Sequence, residues 1–124
     1  MLALQELDPA VPLSQQMASE RPGAVTLINL FTVDPAEAPR MLATWTGDAA
    51  FMKAQPGFLS TQLYRGLAGS GVFLNLALWE DVAAFRAAFS HPAFRERLQG
   101  YPPSAIARPH LFAKVAVPGI CAGD

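Results

Sequence analysis

The run Gly71-Val72-Phe73-Leu74-Asn75-Leu76-Ala77-Leu78-Trp79 constrains the fold of this chain more than any other segment. It is rich in large apolar residues, lacks proline and stops at Glu80-Asp81, so it reads as a strand. Side chains alternate across a strand, which puts Phe73, Asn75, Ala77 and Trp79 on one face. Val72, Leu74, Leu76 and Leu78 form a purely aliphatic opposite face. A strand apolar on both sides predicts cover on both. Asn75 is then a carboxamide beside a large aromatic in a low-dielectric setting, where an amide costs free energy unless it is hydrogen-bonded. Either the protein satisfies it or it is held for a ligand. Taken alone, such an Asn is most often a structural hydrogen-bonder and a strand-end Trp most often core.

The rest of the chain supplies partners for that strand. Residues 1–23 carry Pro9, Pro12, Pro22 and Gly23 and read as an irregular arm, with a short helical turn near Leu13–Ser19. Ala24–Val33 reads as a first strand from its β-branched and aromatic residues, with Asn29 on the face shared by Leu27 and Phe31. Asp34-Pro35-Ala36-Glu37 has the signature of a helix start: a capping acid, a proline at the first position and a glutamate three after the cap. Pro39 either kinks this helix or begins its regular part. Met41, Trp45, Ala49 and Met52 then recur at helical spacing until Gln55-Pro56-Gly57 ends it. Phe58–Gly66 is a second strand, joined to the Gly71–Trp79 strand by a short glycine-containing link, hence an antiparallel hairpin. Asp81 caps a second helix with Val82, Phe85 and Phe89 toward the core. Ser90-His91-Pro92 interrupts it and restarts a short helix through Leu98, closed by Gly100. His110–Val117 reads as a last strand and residues 118–124 as a tail. The domain thus spans 24–117. The order β-α-β-β-α-β is ferredoxin-like, an α+β fold with an antiparallel sheet and both helices on one face.

Composition narrows the function classes. With 124 residues, 52 % hydrophobic and 15 % charged at a net charge of -1, the chain has no basic footprint for nucleic acid and is too apolar for disorder. So much apolar surface on one small domain predicts a subunit interface. No apolar stretch approaches the ~20 residues that span a bilayer. Met1–Glu6 lacks the basic and apolar regions of a signal peptide. Cys121 is the single cysteine, which fits a reducing cytoplasm. With two histidines and one cysteine at no ligand-like spacing, and no glycine-rich dinucleotide fingerprint, a protein-built metal or nucleotide-cofactor site is not expected.

Val25–Phe31, Gln55-Pro56-Gly57-Phe58, Asn75–Glu80 and Phe85–Phe89 before His91-Pro92 together resemble the antibiotic biosynthesis monooxygenase family, of the dimeric α/β-barrel superfamily. The resemblance covers about residues 24–117 and is nearest to the anthrone oxygenases of aromatic polyketide pathways, of tetracenomycin and actinorhodin type. It implies a homodimer whose sheets close into a barrel, with a pocket in each subunit between sheet and helices. It also implies oxygenation of a planar phenolic substrate by O2 without flavin, haem or metal. In the actinorhodin-type enzyme the strand Asn and the Trp four residues on belong to the active site, and they map onto Asn75 and Trp79. Phe85 stands where that enzyme has a tyrosine, which puts the substrate and the chemistry in question. Arg95 and Arg97 both lie near the place of a further arginine, and neither is assigned. Haem-degrading relatives use an Asn, a Trp and a His that Asn29, Trp79 and His91 match loosely.

Cofactor-free oxygenation needs a flat aromatic held, deprotonated and kept from bulk water. Trp79, Phe85 and Phe51 suit the ring. The Asn75 amide suits a developing oxyanion, with Asn29 as a second donor. A neutral His91 imidazole suits a general base. The competing expectations are a non-catalytic dimeric ligand-binding or accessory protein, a haem degrader, and an isomerase or lyase on a related fold.

Overall fold

The computed structural model describes residues 1–123. A sheet of five strands forms from β1 (Ala3–Leu4), β2 (Val25–Thr32), β3 (Phe58–Arg65), β4 (Val72–Trp79) and β5 (Ile106–Phe112), in the order β1-β5-β2-β4-β3. Its last four members are antiparallel in the ferredoxin-like order, and β1 adds a parallel edge to β5. The helices are α1 (Leu13–Met17), α2 (Ala38–Lys53), α3 (Val82–Phe89) and α4 (Pro92–Arg97).

Local chemistry explains most boundaries. Asp34 Oδ1 accepts from the Ala36 N–H at 3.0 Å and starts a 3₁₀ turn, Pro35–Glu37, that leads into α2. Pro39 therefore falls in the first turn of α2, where no backbone donor is needed, and there is no break. Glu37 does not close a capping box directly. Ser104 relays it: its hydroxyl accepts from the Asp34 N–H at 3.0 Å and donates to Glu37 Oε1 at 2.8 Å. Asp81 caps α3 through the Ala84 N–H at 2.8 Å.

The core lies between one sheet face and the helices. Val25, Leu27, Phe31, Phe73, Ala77 and Trp79 of the sheet meet Met41, Val82, Phe85, Phe89, Phe94 and Leu98. The opposite face is open in the single chain. Val72 is exposed, and Leu74, Leu76 and Leu78 are half-buried. The expectation that β4 is covered on both faces thus fails within one subunit.

Two further expectations are corrected. The last strand is Ile106–Phe112 rather than His110–Val117. The strand runs through Pro109, which sits near the sheet margin, where its missing donor is harmless. Ala105 and Ala107 turn their carbonyls outward to Ala3 and Gln5, and Leu111 turns its N–H outward to Gln16 Oε1, so position 109 also faces the edge. The arm carries the expected helical turn as α1, and the correction to it is the added edge strand β1. Its strand β1 and helix α1 cover the edge of β5, Glu6 Oε1 caps α1 through the Leu13 N–H, and Leu2 and Leu13 are buried in the core.

Candidate functional site

The inner sheet face and the helices enclose a narrow chamber with about 60 Å³ open to water centres, room for a handful of waters. Its sheet wall carries Leu27, Asn29 and Phe31 from β2, Phe58 and Thr61 from β3, and Asn75, Ala77 and Trp79 from β4. Trp45, Asp48 and Met52 of α2 face that wall, with Phe89, Phe94, Leu98 and Tyr101 completing the enclosure. Leu2 and Leu4 of the arm contribute as well, so the arm is part of the chamber.

Register brings the polar groups together. Asn29 and Asn75 are directly opposite on β2 and β4, so their carboxamides lie side by side. Thr61 Oγ1 donates to Asn75 Oδ1 at 2.5 Å, which leaves the Asn75 amide nitrogen as its remaining polar atom. Trp79 is locked by edge contacts from Phe58, at 5.3 Å and 90°, and with Phe85, at 5.8 Å and 75°.

Four buried side-chain polar atoms among the described residues have no hydrogen-bond partner: Asn29 Oδ1, Asp48 Oδ1, Asp48 Oδ2 and Trp79 Nε1. All belong to residues on the wall of this one chamber. An unmet buried polar group costs about 1–3 kcal/mol, so their gathering in one place marks a site held for something else.

Asp48 is 5 % exposed. Burial pushes its carboxyl above the usual carboxylate range, opposed by the Tyr101 hydroxyl and by the charge of Arg97. Burial, and then the neighbouring Asp48, push the Tyr101 phenol far upward, so it stays a neutral donor. The Tyr101 hydroxyl lies against the carboxyl without a well-formed hydrogen bond, because both carboxyl oxygens remain unpartnered.

The sequence profile of the antibiotic biosynthesis monooxygenase family matches residues 24–98, well over half of the chain. The chain belongs to this family. Deoxynogalonate monooxygenase of Streptomyces nogalater is 40 % identical over 72 residues, covering 56 % of this chain and 58 % of that protein. The match thus spans a little over half the length of that relative. The crystal structure of SnoaB, a cofactor-independent oxygenase from the same organism, superimposes with a TM-score of 0.67 at 29 % identity, covering 78 % of this chain and 98 % of SnoaB. A Caulobacter crescentus structure of the same group reaches a TM-score of 0.68 at 22 % identity, over 77 % of this chain and 92 % of its own, and shows the shared fold.

Within this family member, the residues singled out from sequence divide into two groups. Asn29, Asn75 and Trp79 stand together on the chamber wall. Phe85, Phe51 and His91 do not line it. Phe85 is fully buried behind Trp79. Phe51 packs against His91 at 5.2 Å and Phe94 at 6.4 Å. His91 is exposed and caps α4, its Nδ1 accepting from the Ala93 N–H at 3.0 Å. Pro92 sets the chain direction that makes this cap, so the imidazole is directed away from a general-base position. Arg95 lies over the Phe89 ring and Arg97 over the Phe51 ring, at 4.7 and 5.7 Å.

Three polar wall residues escaped the sequence reading. Asp48 belongs to the helical stripe Met41, Trp45, Asp48, Met52, and a carboxylate on an apolar stripe was the available signal. Thr61 faces inward only because β3 slips register between Phe58 and Ser60, so that Phe58 and Thr61 share a face that strict alternation denies them. Tyr101 sits in a proline-flanked loop with no periodicity to betray it.

Proposed function

We propose that this protein is a cofactor-independent monooxygenase that oxidises a planar phenolic or anthrone-like, polyketide-type substrate with O2. The observation that carries the reading is the gathering of unpartnered polar atoms in a narrow aromatic chamber. The Trp79 N–H and the Asn75 amide are donors aimed at substrate oxygens, and Asn29 Oδ1 is an acceptor for a phenolic hydroxyl. A flat ring suits a chamber walled by Trp79, Trp45 and Met52. SnoaB, of like fold, is described as cofactor-independent, and the named curated relative is a monooxygenase.

The chemistry balances without a redox group. A ring methylene flanked by aromatic carbonyl systems loses a proton, and the carbanion supplies electrons to O2. Oxidation of CH2 to C=O removes four electrons and reduces O2 fully, one atom entering the ketone and the other leaving as water. The residues supply binding, oxyanion stabilisation and water exclusion. Removing one oxyanion donor costs roughly 10²–10³ in rate in acyl-transfer enzymes, and a loss of that order is expected here.

Pairing through the open sheet face belongs to the same proposal. Val72, Leu74, Leu76 and Leu78 present an aliphatic surface that a second copy would cover. Haem degradation is the weaker reading, because His91 is spent on the α4 cap.

The test is oxygen uptake by metal-stripped protein given a model anthrone, with Asn75→Ala and Trp79→Phe in parallel. Quinone formation that both variants lose supports the reading. Uptake no faster than the spontaneous reaction, in protein that still binds the ring, refutes it and leaves a binding module.

A further inference from the structure

We propose that Asp48 is the catalytic base of this chamber, taking the acidic proton of the bound ring, with Tyr101, whose hydroxyl lies against that carboxyl, as its positioning residue. This rests on the oxygenase reading for its substrate and goes beyond it in assigning the proton.

Placement comes first. Asp48 projects from α2 into a chamber whose opposite wall holds Asn75 and Trp79. A ring between these walls has its developing negative charge beside the two donors and its acidic hydrogen beside the carboxylate. The two walls then serve opposite ends of one proton transfer.

The carboxyl is also free for the task. It is 5 % exposed, and neither oxygen has a hydrogen-bond partner. A buried carboxylate with a structural duty is normally paired, and an unpaired one weakens the fold. Arg97, whose charge acts on the carboxyl, makes no ion pair with it and lies over the Phe51 ring. Arg97 and Tyr101 are the charged and titratable groups that act on Asp48, and both favour its ionised form. Burial acts the other way and makes the carboxylate a stronger base than one in water. Tyr101 is itself held by Phe31, whose ring stacks on it at 6.0 Å and 14°. Its hydroxyl is thereby fixed against the carboxyl.

The proton ledger closes. The Asp48 carboxylate takes one methylene proton, and the C–H electron pair stays on the ring carbon. That carbon bonds to O2, and the resulting peroxide takes the proton back from Asp48. The carboxylate then removes the second methylene proton as the O–O bond breaks. The C=O forms, and the departing hydroxide takes that proton from Asp48 to leave as water. Asp48 ends as it began.

Proton abstraction can be read without oxygen. Under strict anaerobiosis in D2O, NMR follows deuterium entry at the methylene of the model anthrone, and oxygen uptake is measured separately. Wild-type protein is expected to accelerate both. Asp48→Asn is expected to lose about 10²–10⁴ of the exchange rate while binding the corresponding anthraquinone within a few-fold of wild type. Its residual rate should follow hydroxide rather than a carboxyl ionisation. Tyr101→Phe is expected to retain exchange with its acid limb moved to higher pH, since the hydroxyl no longer favours the carboxylate. Asp48→Asn should melt no lower than wild type at neutral pH, whereas a structural carboxyl would leave it less stable. Exchange and uptake undiminished in Asp48→Asn overturn the assignment and leave the oxygenase reading intact. Exchange that needs Asp48, without uptake, supports the base and refutes the oxygenase reading. Wild-type protein that accelerates neither refutes both.

Discussion

Gly57 offers a test of how tightly the end of β4 that carries Trp79 is held. Its φ is +84°, and a Cβ placed there would lie 2.4 Å from Ala84 Cβ on α3 and 3.0 Å from Glu80 Cγ. Its carbonyl accepts from the Glu80 N–H at 2.8 Å, one residue beyond Trp79. Gly57→Ala therefore combines two costs. Left-handed backbone costs an L-residue about 1–2 kcal/mol. Overpacking against α3 adds about 1–3 kcal/mol, because the clash is with another Cβ and cannot be relieved by rotating a side chain. Gly69 separates the two, since its φ is +75° and nothing lies within 4 Å of its would-be Cβ. Gly69→Ala should cost only the first amount. At this chain length 1 kcal/mol moves the melting temperature by about 4 °C, so the expected falls are roughly 8–20 °C for Gly57→Ala and 4–8 °C for Gly69→Ala. Thermal unfolding followed by circular dichroism at several scan rates reads both. Equal losses in the two variants would refute the claim that α3 packs directly on this turn.

Other expected outcomes concern pH, the arm and the open face. The Asp48 carboxyl is raised in the folded state from 3.8, so the folded chain holds that proton more tightly than the unfolded one. Its stabilising contribution is complete below 3.8 and is lost as pH rises through the higher folded value; urea unfolding at stepped pH should show this fall, and Asp48→Asn should remove it. Leu2→Ala should cost about 2–4 kcal/mol in urea unfolding, because Leu2 is 4 % exposed and packs in the core. It should also change KM for the anthrone, because Leu2 lines the chamber, and an unchanged KM would separate the arm from the site. Leu76→Lys on the open sheet face should shift the protein to monomer in sedimentation velocity without unfolding it; a monomeric wild type would remove the basis for sheet-to-sheet pairing.

Much of the fold was legible because its signals are local. Alternation along Gly71–Trp79 puts Asn75 and Trp79 on one face whatever surrounds them, and the chamber wall holds both. The caps at Asp34 and Asp81 follow from side chains reaching their own helix. The bounds of β5 misled, since whether a strand can run through Pro109 depends on whether that nitrogen faces a neighbouring strand or the sheet margin. His91 misled in the opposite direction. Its residue type suits acid–base chemistry, but its ring nitrogen is already committed to the Ala93 N–H.

The sequence by itself determined the strand and helix order beyond the arm, the aliphatic face of β4 and the placing of Asn75 and Trp79 on its other face, since backbone periodicity is a property of consecutive residues. Tertiary structure alone decided which polar groups meet. The register of β2 against β4 sets Asn29 beside Asn75, a one-residue slip in β3 turns Thr61 inward, and packing of α2 over the sheet brings Asp48 to Tyr101 from more than fifty positions away. Those juxtapositions join residues distant along the chain, and only the packed sheet and helices set the distances between them.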